Sequence, residues 1–313
     1  MQILFYLKQW PGTGFQKLKR FCYFTFLQFK RLAFKTKYIA EFVLTDECNL
    51  RCKHCYFFKE ENLQQSKDLP LSTWENKFIE LYSSGIRSIL LIGGEPTLRM
   101  DLVLLAQRIF PYIDICTNGI VKISDDYKNR IFLSIDGNKE IHDSIRGNGV
   151  FQKVIQNYSG NHNVIIGMTI SKENYIVIAD VLQLAVENKF LGVGFDLYSN
   201  KFEIDDDLYI TPDIRKKIIE TLRVLKKKYP KHLLLSDNAI KWYETADHSG
   251  DHCNWRSGTL HFNSSLEEIE ACVHYSCSNC GSFCGANGAN INIILNLEDK
   301  LRHLNLFRPK NKA

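Results

Sequence analysis

Residues 39–57 read IAEFVLTDECNLRCKHCYF. The first seven, Ile39 to Thr45, form the apolar, β-branched run of a buried strand. Three cysteines follow within eight residues, Cys48, Cys52 and Cys55, with the spacing C-x3-C-x2-C. In a parallel α/β protein, loops at the carboxyl ends of strands are where sites are built. Three thiolates on one short loop can hold three corners of an iron–sulfur cubane and leave the fourth iron open. The same spacing also suits a structural zinc site completed by His54 or a distant thiol.

Outward from this loop the pattern alternates. WENKFIELYSSG has helical spacing and ends on Gly85. SILLIGG reads as a second strand, DLVLLAQRIF as a helix, YIDICTNG as a third strand and RIFLSIDG as a fourth. A helix around FQKVIQNYSG leads to NVIIGMTIS, a fifth strand. YIVIADVLQLAVENKF is helical, VGFDLYS is a sixth strand, and a helix spans TPDIRKKIIETLRVLKKKY. Such alternation predicts a parallel sheet or barrel, and six units are too few for a complete eight-unit barrel. The strand ends carry Gly93-Gly94-Glu95-Pro96, Thr117-Asn118-Gly119 and Ser134-Ile135-Asp136-Gly137. Each motif alone reads as a turn, but four successive strands ending this way point to a shared site.

The chain of 313 residues is 45% hydrophobic and 24% charged, ordinary for a globular enzyme. Its formal charge is +5. Eight bases fall before the first acid, Glu41, and removing those eight from the 40 bases leaves 32 against 35 acids. The basic excess belongs to the N-terminal segment, so a nucleic-acid partner is not expected. Residues 1–38 place apolar side chains at 15, 18, 22, 26, 29 and 33. That stripe predicts an amphipathic helix, packed on the body or lying on an anionic membrane surface. Ten cysteines with no export signal predict a reducing, cytoplasmic setting, with the inner membrane face as a peripheral alternative. Cys22 and Cys116 read as small buried core residues.

Between Asp251 and Asn290 the periodicity fails, and Cys253, Cys272, Cys277, Cys280 and Cys284 give C-x18-C-x4-C-x2-C-x3-C. Five thiols in a glycine-rich stretch predict a metal centre, zinc or iron–sulfur. The domains expected are therefore a basic helical segment at 1–38, an α/β core at 39–230 and a small cysteine-rich unit at 231–313.

Taken together, these motifs resemble the radical S-adenosylmethionine (SAM) enzymes. Cys48-x3-Cys52-x-His54-Cys55 is similar to their cluster loop, with His54 at a place usually held by an aromatic residue. Gly93-Gly94-Glu95-Pro96 resembles their motif for the methionine amino group, which implies that Glu95 holds the ammonium. Ser134 and Asp136 stand where the family places ribose contacts, and Asn118 joins the implied cofactor-binding set. The resemblance covers residues 39–230. It implies a partial (β/α)6 TIM-like barrel with a 4Fe–4S cluster that cleaves SAM to a 5′-deoxyadenosyl radical for hydrogen abstraction. It also implies an electron donor such as flavodoxin or ferredoxin.

The stretch IHDSIRGNGVF and the C-terminal cysteines resemble peptide-modifying members with SPASM or twitch extensions. A full SPASM unit has seven cysteines and two clusters. Here Glu267 replaces the usual glycine, so the resemblance implies one auxiliary 4Fe–4S cluster. The expected ligands are Cys253, Cys272, Cys277 and Cys280, with Cys284 as the substitute. The expected substrate is a ribosomally made precursor peptide. The alternatives are a lipid or other small molecule, or a non-catalytic zinc or iron–sulfur protein.

Overall fold

The computed structural model describes Cys22 and residues 37–58, 69–127, 129–199, 206–245, 247–249, 253–270, 272 and 277–282. The helix expected over residues 1–38 lies outside the described residues apart from its last two positions and Cys22, which is exposed rather than buried. Among the described residues no helix is long and apolar enough to cross a membrane.

Six strands follow one another in sequence and in space: β1 (Ile39–Val43), β2 (Ser88–Ile92), β3 (Tyr112–Thr117), β4 (Arg130–Ser134), β5 (Val164–Ile170) and β6 (Gly192–Leu197). All pair in parallel with their neighbours. Parallel neighbours need crossovers, which the helices supply. They are α1 (Leu71–Ser83), α2 (Met100–Ile109), α3 (Lys139–Arg146), α4 (Val150–Tyr158), α5 (Ile178–Glu187) and α6 (Pro212–Lys228), followed by α7 (Asp237–Trp242).

Alternation is less strict than the sequence pattern predicts. Among the described residues β3 and β4 are joined without a helix, because the Asn-, Gly- and Asp-bearing segment after Thr117 has no helical repeat. Two helices instead of one join β4 to β5. Asn138 starts the first of them by accepting the Ile141 N–H at 3.2 Å.

The sheet does not close. Its order is β6-β5-β4-β3-β2-β1-β7-β8, which makes the barrel an open arc. The last two strands come from the stretch read as irregular. After α8 (Asn254–Gly258), β7 (Thr259–Phe262) runs parallel to β1, and β8 (Glu268–Ile269) turns back against β7. Lys37 Nζ reaches the Thr259 carbonyl at 3.0 Å, and the Tyr38 N–H the Gly258 carbonyl at 3.0 Å. Further along, the Leu197 N–H at the end of β6 donates to Gly281 O at 2.8 Å. A Cβ at Gly281 would lie 2.3 Å from the Leu197 Cβ, so only glycine permits this approach. The C-terminal cysteine segment thus touches both ends of the β1–β6 arc.

Burial alternates along each strand and defines two faces. On β1, Ala40 and Phe42 point outward to the helices and Glu41 and Val43 point into the lumen. The outer layer is aromatic. Phe42 meets Trp74 at 5.9 Å and Phe78 at 5.1 Å, both on α1, and stacks on Phe262 of β7 at 5.1 Å. Trp74, Phe78 and Leu81 recur at helical spacing, which is why α1 lies flat on the sheet. Phe42→Ala is expected to cost about 3–5 kcal/mol, read as a shift in the urea midpoint, because it empties the joint between β1, α1 and β7.

Candidate active site and metal centres

The cysteine loop is held by the backbone of the next strand's end. Gly94 N–H donates to Thr45 O and Glu95 N–H to Glu47 O, each at 2.8 Å. A Cβ on Gly94 would sit 2.1 Å from the Glu47 carbonyl oxygen, and one on Gly93 2.7 Å from that of Thr45. The close approach these glycines allow is to the chain itself.

Glu95 is 1% exposed and accepts four hydrogen bonds. Its Oε1 receives Thr97 N–H (3.0 Å), Thr97 Oγ1 (2.6 Å) and Thr117 Oγ1 (2.7 Å), and its Oε2 receives Asn118 N–H at 2.8 Å. The carboxylate therefore pins the end of β2 to the end of β3. Pro96 opens the short turn that follows, and both are buried. Asn118 continues the chain of contacts. Its Nδ2 donates to Asn49 Oδ1 at 2.7 Å and lies 3.8 Å from Cys48 Sγ.

Cys48, Cys52 and Cys55 are half-buried and interact electrostatically with one another. Burial pushes the Cys48 thiol up, and pushes Cys52 up to about 11 against the pull of Arg146. Thiols in this state give up their protons to a metal centre, which supplies the positive charge that the thiolates lack. Arg146 Nη1 stands 3.8 Å from Cys52 Sγ, and its Nη2 3.5 Å from His54 Nε2.

Arg146 is fixed by Asp136, whose Oδ2 accepts from its Nε at 2.5 Å. Asp136 is fully buried and also accepts the Thr169 N–H at 3.1 Å through Oδ1. Burial alone would raise its carboxyl, but Arg146, His54 and His142 outweigh that and hold it below its usual value. His54 Nε2 lies 3.6 Å from Asp136 Oδ2. Ser134, two residues earlier, lies half-buried on the lumen side of β4. The structure thus brings His54, Asp136 and the three loop cysteines together, with Asn118 and Glu95 beside them.

Behind Asp136, its N–H donates to His142 Nδ1 at 3.2 Å, so the imidazole proton sits on Nε2. The sequence signal for His142 and Arg146 is the polar face of IHDSIR, on which they stand four residues apart.

The lumen carries a second polar layer that the strand patterns only hinted at. Glu41 and Asp114 interrupt otherwise apolar strands at alternate, inward positions. Asp114 takes two bonds from Arg130, at 3.1 and 2.7 Å, and Glu41 meets His261 Nδ1 at 2.8 Å. Cys116 is half-buried on this inner face rather than in the outer core, and burial raises its thiol well above the usual range. Glu41, Asp114, Asp196 and Glu95 add to that shift. Asp196 stands on β6, three strands from β3, so its charge acts on Cys116 across the lumen.

The described C-terminal thiols form one neighbourhood. Cys272 interacts electrostatically with Cys253, Cys277 and Cys280, and burial pushes it up to about 12. Burial likewise raises Cys253 and Cys280. Arg256 Nη1 lies 3.8 Å from Cys277 Sγ, and Arg215 Nη2 holds the Cys280 carbonyl at 2.8 Å. Cys284 lies outside the described residues. Among the described residues, no three His, Cys, Asp or Glu side chains already stand close enough to hold a single metal ion.

Residues 42–185 match the model of the Radical SAM superfamily. Fe-coproporphyrin III synthase of Methanosarcina barkeri is 31% identical over 226 residues, 62% of this chain and 54% of that protein. The sporulation killing factor maturation protein SkfB of Bacillus subtilis is 29% identical over 155 residues, 45% of this chain and 37% of that protein. The chain therefore spans about half, or less, of these relatives' length. Streptococcus suis SuiB, solved bound to the precursor peptide SuiA, shares the fold. Its TM-score is 0.60 at 13% identity, covering 92% of this chain and 72% of that one. The superfamily is one of enzymes, and the relatives carry names of synthases and cyclases.

Two outcomes follow from this geometry. Glu95→Gln keeps one acceptor oxygen but sets its amide donor against at least one existing donor, the Asn118 N–H, and is expected to cost about 1–3 kcal/mol by urea denaturation. His142 is held down at about 4, from an ordinary 6.5, by burial and by Arg146. Between those values the unfolded chain binds a proton that the folded chain refuses. Stability is thus complete above pH 6.5 and falls as the pH drops toward 4, by up to about 3 kcal/mol. His142→Gln is expected to flatten the stability–pH curve in that window.

Proposed function

We propose that this chain is a radical SAM enzyme that abstracts hydrogen from a peptide, with one auxiliary cluster on its C-terminal cysteines. The observation that carries this reading is the gathering of Cys48, Cys52 and Cys55 at the mouth of an open barrel, against Arg146 and Asn118. When bound, a 4Fe–4S cluster with SAM would supply the 5′-deoxyadenosyl radical for hydrogen abstraction.

The chain's own residues would do the rest. The three cysteines hold the cluster, and burial keeps water from it. The Arg146 guanidinium, beside Cys52, suits the carboxylate of a chelating amino acid. Glu95 and Asn118 order the loop that faces the ammonium, and Ser134 and Asp136 lie on the ribose side. A low-potential donor such as flavodoxin or ferredoxin would deliver the electron.

A peptide substrate is supported by SkfB, named for maturation of a killing factor, and by the fold shared with SuiB. A second reading, a small-molecule substrate of the tetrapyrrole kind, is favoured by the longer match to Fe-coproporphyrin III synthase.

Anaerobic reconstitution tests the proposal. Wild type is expected to bind about eight irons and the Cys48/Cys52/Cys55→Ala variant about four. With dithionite and SAM, wild type alone should release 5′-deoxyadenosine. Zinc in both, with no nucleoside, would leave a metal-stabilised binding protein. Product masses after incubation with candidate precursor peptides and with Fe-coproporphyrin substrates then separate the two substrate classes.

A further inference from the structure

The strand register aligns one tier of lumen side chains across five strands. His261 on β7 is the partner of Glu41 on β1, Glu41 of Leu90 on β2, Leu90 of Asp114 on β3, and Asp114 of Arg130 on β4. The Asp114–Arg130 end is satisfied by its two mutual bonds. The other end is not. His261 is 4% exposed, Glu41 occupies its Nδ1, and its Nε2 has no hydrogen-bond partner among the described residues.

A carboxylate on one ring nitrogen with the other left open is the arrangement of a metal-bound histidine. The carboxylate sets the tautomer and ring angle and makes the open nitrogen a better donor to a metal. The surroundings supply thiols. Cys272 is within electrostatic reach of Glu41 as well as of the other described C-terminal thiols. Trp255, two residues after Cys253, packs edge-on against the His261 ring at 5.9 Å. Its neighbour Arg256 approaches Cys277 Sγ. α8 therefore lies against the thiol set on one side and against His261 on the other.

We propose that His261 Nε2 is a ligand of the metal centre held by the C-terminal cysteines, with Glu41 as the group that orients it. This rests on the reading of those cysteines as a cluster site. Five described groups then serve four corners, so one of the four cysteines is not a permanent ligand. The tier places the histidine on the lumen side, so the ligand set would include one group that faces a substrate.

The test uses the full-length Cys48/Cys52/Cys55→Ala variant, labelled with 15N-histidine, reconstituted with iron and sulfide and reduced for pulsed EPR. About four irons with a 15N coupling are expected. His261→Gln should keep iron and lose the coupling. Its midpoint potential should fall, because imidazole ligation holds a cluster at higher potential than thiolate ligation. Iron bound in the parent without nitrogen coupling overturns the proposal and leaves the cluster reading intact. No iron, or zinc in its place, overturns the cluster reading and the ligand with it. A coupling that survives in His261→Gln belongs to another histidine and overturns the proposal, and His261→Asn gives the same reading where the Gln variant fails to fold.

Discussion

A loop that would hold a metal centre through three thiolates has few side chains left to hold itself. Here the constraint is met by backbone. The end of β2 lies so close to residues 45–47 that no side chain fits at Gly94, and two N–H groups from Gly94 and Glu95 fasten the loop from beneath. Glu95 then turns outward from that contact and ties β2 to β3 with four accepted bonds. The cysteine loop, the glycine pair and the strand ends are one unit. Loosening any of them moves the thiols, because a buried carboxylate with unmatched donors cannot relax into water.

The lumen is layered in a way that follows from strand register. Its lower tier is charged and paired, with His261–Glu41 at one end and Asp114–Arg130 at the other. Val43, Ile92 and Phe132 face inward one step higher, with Cys116 among them. Above them stand Asn118 and Ser134, next to the cysteine loop. An apolar belt between two polar tiers would keep water away from the reactive species proposed to form at the top. A substrate entering the arc must displace little water in the belt and can find polar partners only at its two ends.

Much of this was legible in the chain, and the exceptions have physical causes. Runs such as SILLI and VIIGMTI are apolar almost throughout, because their inward positions are half-buried or better in the lumen, so continuous apolarity marked them. The cysteine loop, Glu95 and Asp136 stood out because motif and strand end coincide. β7 was missed: TLHF is four residues long, carries a histidine at its centre, and pairs with a two-residue strand. Its strand character comes from the free edge of β1, which no local pattern reveals. Glu41 and Asp114 looked like interruptions in strands because the lumen they share exists only after folding. Asp136 stood near a ribose position by sequence, while the structure buries its carboxylate against Arg146 and Thr169.

The placement of the C-terminal thiols bears on how the two halves of the protein depend on each other. β7 leans on β1 through Glu41 and Phe42, the same strand that delivers the cysteine loop. The Cys277–Gly281 stretch leans on the end of β6, where Gly281 fits only because it lacks a side chain. A metal centre on these cysteines would therefore clamp the first and sixth strands, the two at the edges of the six-strand arc. Binding free energy spent there is folding free energy for the whole arc. The loop at the opposite end of β1 inherits that rigidity through five residues of strand. In this architecture a metal centre on the second thiol set would stabilise the first even where no electron passes between them.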